Sequence, residues 1–196
     1  IRNTEVNSDS TNAMALECAI QRRALMHGNP KSSAPIHLAA SQRLLRTQQY
    51  AANPNVGPHF SAFALCSAGR DQGSLRFELV TLLLHIAFYA RAIRAFAGEA
   101  TGLRVAVTDF GANDRRTLLT EQVLTLVQTQ FTDAECVIDD QREDGRDYYA
   151  DLCFHVYAKD AEGQWLEMAD GGVVNWTQRL LNNAKERCVI SGIGSE

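Results

Sequence analysis

The sequence predicts an α+β domain in which an antiparallel sheet is flanked by helices. The clearest observation is a long amphipathic helix over residues 75–96, where Leu79, Leu82, Ile86, Tyr89 and Ile93 recur at helical spacing. Short apolar runs bounded by Gly, Pro, Asn and Asp supply the strands, and a turn at residues 161–163 indicates a hairpin between two of them. Strands joined by short turns pair antiparallel, and the helices then cover the sheet.

The first third of the chain predicts one helix and two strands. Cap residues at positions 7–11 precede apolar residues at helical spacing, so we expect a helix that ends near Gly28. Residues 36–46 and 59–66 predict strands. The Asn, Pro and Gly residues between 51 and 58 predict a loop, which would join these two strands as an antiparallel pair.

The remainder of the chain predicts a mixture of strands and helices. Residues 103–110 predict a strand, and a helix with apolar positions up to Phe131 begins at Asp114. Further strands are expected at residues 135–139, 149–157, 165–168 and 188–191, with a short helix at 176–182. The length fits one domain with a sizeable core.

Composition and charge argue against a nucleic-acid-binding protein and against a membrane protein. The chain is 45% hydrophobic and 21% charged, and its net charge of -4 argues against a broadly basic surface, so tRNA is not an expected partner. No apolar segment reaches the roughly 18 uninterrupted residues of a membrane span, and the polar start does not resemble a signal peptide. We therefore expect a cytoplasmic protein without membrane association.

The five cysteines predict no metal or redox centre. They lie far apart in sequence, without a Cys-x-x-Cys pair and without Cys/His spacing suited to zinc. We expect reduced thiols that behave as small hydrophobic side chains.

Residues 145–157, GRDYYADLCFHVY, form a paired-tyrosine turn that leads directly into an apolar strand. This segment resembles the histidine-recognition segment of class II histidyl-tRNA synthetases and their paralogues, where a Gly-x-Asp-Tyr-Tyr turn precedes a strand ending in Phe-x-Val-Tyr. The order of the surrounding elements is also similar. The resemblance implies that residues 1–196 are one class II synthetase-like domain, truncated at both ends, since the family's motif 1 and the Arg expected after Glu196 lie outside the sequence.

The resemblance also implies a set of site residues. Asp9 and Thr11 lie where the family holds the ammonium group of its amino acid, and Tyr148 and Tyr149 border the same pocket. Arg46 matches the motif 2 Arg that neutralises the α-phosphate of ATP, and it would be the catalytic residue of an enzyme. Gly171 and Gly172 resemble the Gly-Gly pair before the next part of the pocket. No metal ligand is implied; ATP and Mg²⁺ would be cofactors only of an adenylating enzyme.

Three departures weaken an enzymatic reading. The second motif 2 strand carries Ala62, Ala64 and Leu65 where the family has basic and polar side chains. Asp144 replaces the Arg that usually precedes Gly145, and a carboxylate there would repel phosphate. A Val-Val-Asn-Trp sequence follows Gly172 in place of Arg-Tyr-Asp.

Other candidate residues have structural alternatives. Residues 67–73 form a glycine-containing segment before a helix that could bind an anion. The acidic residues Glu135, Asp139, Asp140, Glu143 and Asp147 could bind Mg²⁺ or form a solvated face. His155 and His85 are expected to be structural.

Three hypotheses follow. The first is a synthetase-like domain without aminoacylation activity, acting as a small-ligand-binding or regulatory module; the regulatory subunit of ATP phosphoribosyltransferase is its functional model. The second is an ATP-dependent amino-acid-activating ligase. The third is a structural paralogue that serves dimerisation. The expected partners are an amino acid or nucleotide, and a second copy or an enzyme.

Overall fold

The computed structural model describes residues 9–45, 59–111 and 114–194. Seven strands form one sheet in the order β1-β2-β7-β6-β5-β3-β4. The strands are β1 (Ile36–Leu45), β2 (His59–Arg70), β3 (Leu103–Asp109), β4 (Glu135–Ile138), β5 (Leu152–Lys159), β6 (Trp165–Val174) and β7 (Glu186–Gly194). The helices are α1 (Ser10–Gly28), α2 (Arg76–Ala97), α3 (Arg116–Leu119), α4 (Thr125–Gln130) and α5 (Trp176–Leu181), with a π-helical turn, Thr120–Leu124, between α3 and α4.

The predicted antiparallel sheet is confirmed, with one exception at its edge. Every neighbouring pair is antiparallel except β3 and β4, which are parallel. The connection from β3 to β4 runs through α3, the π-helical turn and α4, as expected for a parallel crossover. The β5–β6 hairpin turns at Asp160 and Gly163, as its sequence predicts.

The two long helices lie on opposite faces of the sheet. On one face, α2 packs against β5, β6, β7 and the helical crossover in a large core that includes Leu82, Ile86, Phe154 and Val156. On the other face, α1 packs against β2 and β7 in a smaller core that includes Met14, Cys66 and Ile190. We call these the α2 face and the α1 face.

Helix α2 is long and apolar enough to cross a membrane by length and composition. Half of that segment is buried inside the domain, and the core helices of soluble proteins commonly meet the same criterion. Its apolar character is therefore explained by its packing against the sheet.

Several element boundaries differ from the prediction. Strand β5 starts at Leu152, because the backbone N–H groups of Tyr148 and Tyr149 both donate to the Gly145 carbonyl and hold a turn there. Strand β6 continues to Val174 through Gly171 and Gly172. The predicted loop at 51–58 lies outside the described residues.

A buried ion pair connects α1 to the sheet. Arg22 donates from Nε and Nη2 to the two carboxylate oxygens of Glu186, at 2.8 and 2.9 Å, and both side chains are fully buried. Arg22 also donates to the carbonyl oxygens of Ala34 and Ser32. One guanidinium thus holds α1, the segment after it, and β7 together.

A buried hydrogen-bonded chain lies beneath α2. His85 contacts Ser67 Oγ through Nε2 and Ser191 Oγ through Nδ1, each at 2.8 Å. Ser67 also contacts His37 Nδ1, and Ser191 donates to the Tyr89 hydroxyl. Burial lowers the pKa of His85 to about 3, with a smaller effect from His37. His85 is therefore neutral and structural, as expected from the sequence.

Candidate ligand-binding site

A cavity of about 740 Å³ opens on the α1 face, where the start of α1, the Tyr148–Tyr149 turn and strands β1, β2, β6 and β7 meet. Its volume is typical of a small-molecule site. We call it the tyrosine cavity. Its lining includes Asp9, Ser10, Thr11, Leu44, Phe60, Ala62, Ala64, Tyr148, Tyr149, Glu167, Asp170 and Ile190.

Asp9 and Thr11 occupy the beginning of α1. Asp9 caps the helix, because its Oδ1 accepts hydrogen bonds from the Thr11 backbone N–H at 2.8 Å and from the Thr11 hydroxyl at 2.6 Å. Its Oδ2 accepts a hydrogen bond from the Tyr148 hydroxyl at 3.2 Å. The structure thus brings together two segments that are 139 residues apart.

The two tyrosines occupy different environments. Tyr149 is buried, and its hydroxyl donates to Asp170 Oδ2 at 2.8 Å. Tyr148 is 45% exposed and packs edge-on against Tyr149 and Trp176. Burial, followed by the charge of Asp9, raises the pKa of Tyr148 to about 12. Both phenols therefore keep their protons at neutral pH and direct them to carboxylates.

Arg142 is buried beside the cavity. Its Nη2 donates to Asp170 Oδ1 at 3.1 Å and lies 3.3 Å from Asp144 Oδ2. Its Nε donates to the Asp144 carbonyl. Asp144 itself is exposed, so Arg142 is the residue of this segment that enters the interior. Its charge is opposed by two carboxylates, which reduces its ability to bind an anion.

His155 lies against the same carboxylates from β5. Its Nε2 is 3.4 Å from Glu167 Oε1, 3.5 Å from Asp170 Oδ1 and 4.0 Å from Asp144 Oδ2. Within the described residues, this nitrogen has no hydrogen-bond partner, although it is buried. Its Nδ1 lies 2.8 Å from the Tyr157 hydroxyl.

The wall opposite Glu167 and Asp170 is apolar. Leu44 on β1 and Phe60, Ala62 and Ala64 on β2 line it. These even-numbered positions face α1, because side chains alternate along a strand. Among the described lining residues none is Lys, Arg or His, so the described part of the cavity carries negative charge only.

The remaining predicted site residues are Arg46, Gly171 and Gly172. Arg46 lies outside the described residues. Gly171 and Gly172 are buried in β6 and are not among the residues that line the cavity. A Cβ on Gly172 would lie 2.6 Å from the Tyr149 ring and from the Leu152 carbonyl oxygen. Gly172 therefore makes room for the Tyr149 ring.

Two further candidate sites find no support. Residues 67–70 belong to β2, and the turn that follows carries Asp71, whose carboxylate accepts from the Gly73 N–H and pairs with Lys185. That carboxylate opposes anion binding at the turn. The acidic residues proposed for Mg²⁺ are partly paired with arginines, Glu135 with Arg104 and Asp140 with Arg116. No group of three or more His, Cys, Asp or Glu side chains in the described ranges could hold a metal ion.

Glu167 and Asp170 are the site residues that sequence reasoning missed. They lie in β6, where no motif marks them and where the predicted strand ended at residue 168. A bulge between Val156 and Tyr157 shifts the register, so that Tyr157 pairs with Glu167 while His155 pairs with Asp170. The available signal was the isolated acidic pair within an otherwise apolar strand.

Of three comparisons with known proteins, only the comparison with solved structures finds matches, and these concern the fold. No protein-family model matches the sequence, and no curated protein matches it. The solved structures do match. The apo histidyl-tRNA synthetase of S. aureus has a TM-score of 0.66 at 17% identity and is matched over 96% of this chain and 48% of its own. An ATP phosphoribosyltransferase regulatory subunit/histidyl-tRNA synthetase from Bacillus halodurans C has a TM-score of 0.64 at 12% identity, over 96% of this chain and 62% of its own.

A more distant match is the HisG:HisZ complex of ATP phosphoribosyl transferase from Thermotoga maritima, with a TM-score of 0.51 at 14% identity over 90% of this chain and 80% of that one. The chain spans about half of the synthetase that it matches. Sequence identities this low establish the fold alone. This chain has the class II core fold of histidyl-tRNA synthetases and their regulatory-subunit relatives.

Proposed function

We propose that this protein is a histidyl-tRNA-synthetase-like domain without aminoacylation activity, which acts as a small-ligand-binding or regulatory module. We further propose that its ligand carries a positively charged amino group, as an amino acid does. The observation that carries the proposal is the pattern of charges and hydrogen bonds in the tyrosine cavity.

The described polar groups of the cavity offer mainly acceptors. Asp9, Glu167 and Asp170 contribute three carboxylates. The hydroxyl protons of Tyr148 and Tyr149 are already donated to Asp9 and Asp170. A ligand entering here meets acceptors and negative charge, so an ammonium group is the complementary partner. We propose that Asp9, Thr11, Tyr148 and Tyr149, the ligand residues implied by the family resemblance, contact this group from the cavity lining.

The same charge pattern argues against adenylation. Transfer of an adenylyl group needs cations positioned at the phosphates. The only arginine of the described site, Arg142, is neutralised by Asp170 and Asp144. The β2 wall presents Phe60, Ala62 and Ala64 in place of charged groups.

An ATP-dependent amino-acid-activating ligase is the alternative function. It would use Arg46 as its catalytic residue, with ATP and Mg²⁺ as cofactors, and the fold favours it because S. aureus histidyl-tRNA synthetase shares that fold. The regulatory model is favoured by a fold shared with the regulatory subunit/synthetase from Bacillus halodurans C and with the HisG:HisZ complex. We accordingly propose a cytoplasmic protein that forms a homodimer or binds an enzyme partner.

A ligand screen tests the binding proposal. The purified chain is titrated calorimetrically with each of the twenty amino acids, ATP and AMP. We expect binding of at least one amino acid and a loss of up to about 5-fold in its affinity in Glu167→Gln, since the Glu167 side chain is half exposed and a charged contact there is screened by solvent. Glu162→Gln is the matched control, because Glu162 lies in the exposed β5–β6 turn. Preference for an anionic ligand, or equal affinity in both variants, would contradict the proposal.

Amino-acid-dependent pyrophosphate exchange separates the two functions. We expect none, because loss of one electrostatic stabiliser typically costs about 10²–10³ in rate and several of the family's cations are replaced here. Exchange with histidine that Arg46→Ala abolishes would establish the ligase. Binding without exchange would favour the regulatory module.

A further inference from the structure

His155 is a buried histidine surrounded by carboxylates. Its side chain is 5% exposed, and Nε2 lies within 4.0 Å of Asp144, Glu167 and Asp170. A nitrogen lone pair facing three negative charges would be repelled, so Nε2 carries the proton in the neutral ring. Nδ1 is then the acceptor for the Tyr157 hydroxyl at 2.8 Å.

The Nε2–H group lies between two possible acceptors. Glu167 Oε1 and Asp170 Oδ1 lie at nearly equal distances of 3.4 and 3.5 Å, yet Nε2 is hydrogen-bonded to neither. An unsatisfied buried donor destabilises the folded protein, so there is a driving force for one carboxylate to turn toward it. Asp170 is already held by Tyr149 and Arg142, whereas the described residues give Glu167 no other ion-pair partner.

We propose that His155 is a positioning residue for the tyrosine cavity, whose Nε2–H draws the Glu167 carboxylate toward Asp170. The two carboxylates both line the cavity, and His155 contacts them from the side away from it. The consequence for ligand binding rests on the proposed function, whereas the hydrogen-bonding arrangement does not.

The charged groups facing the His155 ring are Asp144, Glu167, Asp170 and Arg142. From β3 its register partner is Ala106, which carries no charge. Asp139 and Glu167 also act electrostatically on Tyr157.

Nuclear magnetic resonance tests the arrangement without a ligand. In the ¹⁵N-labelled full chain at alkaline pH, we expect His155 to be in the Nε2–H tautomer. Carboxyl ¹³C signals of Glu167 and Asp170 should shift in His155→Phe, which removes the N–H donor, and should stay closer to their native positions in His155→Gln, which retains one. His27→Gln, at the exposed end of α1, is the control and should leave both signals unchanged.

The Nδ1–H tautomer in the native protein would overturn the proposal, even if His155→Gln did not fold. So would carboxyl signals that do not shift in His155→Phe, or that shift equally in His155→Gln. Since neither measurement uses a ligand, failure of the amino-acid screen and failure of this inference are separate results.

Discussion

A single residue on the α2 face, His85, contributes to the response of the protein to acid. His85 is 1% exposed, and burial, aided by His37, lowers its pKa to about 3, compared with about 6.5 in an unfolded chain. Between these values the unfolded state binds a proton that the folded state does not. Stability is therefore lost as the pH falls through this window, by up to about 1.4 kcal/mol per pH unit for this group.

We predict that His85→Gln reduces this acid sensitivity. Glutamine can still donate to one serine hydroxyl and accept from the other, but it does not titrate. Urea unfolding at several pH values between about 4 and 7 should show a smaller slope of stability against pH than in the native sequence. His27→Gln serves as the exposed control, and an unchanged slope in His85→Gln would show that other groups dominate.

At the scale of elements, the approach of β6 to its neighbours depends on glycine. A Cβ on Gly171 would overlap Ser191 Cβ and lie 2.7 Å from both the Ile190 carbonyl oxygen and the Phe154 ring. Two of these contacts belong to β7, so the strands would have to shift. The Gly-Gly pair of the sequence is thus explained by packing within the sheet.

We predict that Gly171→Ala destabilises the domain by about 1–3 kcal/mol, the usual cost of overpacking. Gly192→Ala is the matched control on β7, because within the described part of the chain its Cβ would meet only the Phe63 carbonyl oxygen, at 3.8 Å. Its effect should stay within roughly 0.5 kcal/mol. Urea unfolding of both variants decides the point, and equal stabilities would mean that β6 and β7 separate at little cost.

The strands show which features local sequence can predict. Apolar periodicity predicted α2 and most of the strands, since burial of one face imposes a pattern on nearby residues. The parallel pairing of β3 with β4 has no such local pattern and was missed. The proximity of Asp9 to Tyr148 was expected only from family resemblance, because residues so far apart in sequence carry no spacing signal. The placement of Glu167 and Asp170 beside His155 depends on a register shift in the β5–β6 pair, which local sequence does not specify.

For the whole molecule, the Arg22–Glu186 pair joins the α1 layer to the sheet. Both side chains are fully buried, so removal of one leaves the other charge without compensation. We predict that Arg22→Met costs about 3–5 kcal/mol of stability, and that Arg22→Met combined with Glu186→Leu costs less than Arg22→Met alone. Chemical denaturation measures both, with exposed Arg23→Met as the control. A double variant less stable than Arg22→Met would show that the charge left on Glu186 is tolerated.

The sequence predicted reduced cysteines that lie far apart along the chain, and the fold gathers three of them between α1 and the sheet. Cys66 Sγ lies 3.7 Å from Cys18 Sγ and 3.8 Å from Cys188 Sγ, and all three are free thiols that are 0% exposed. The hydrogen bond to Cys66, together with burial, raises the pKa of the Cys18 thiol above its usual range. A thiol-labelling reagent can therefore reach these sulfurs only when α1 lifts from the sheet. The labelling rate of the three buried thiols therefore reports how often α1 opens, and the partly exposed Cys136 supplies the reference rate within the same molecule.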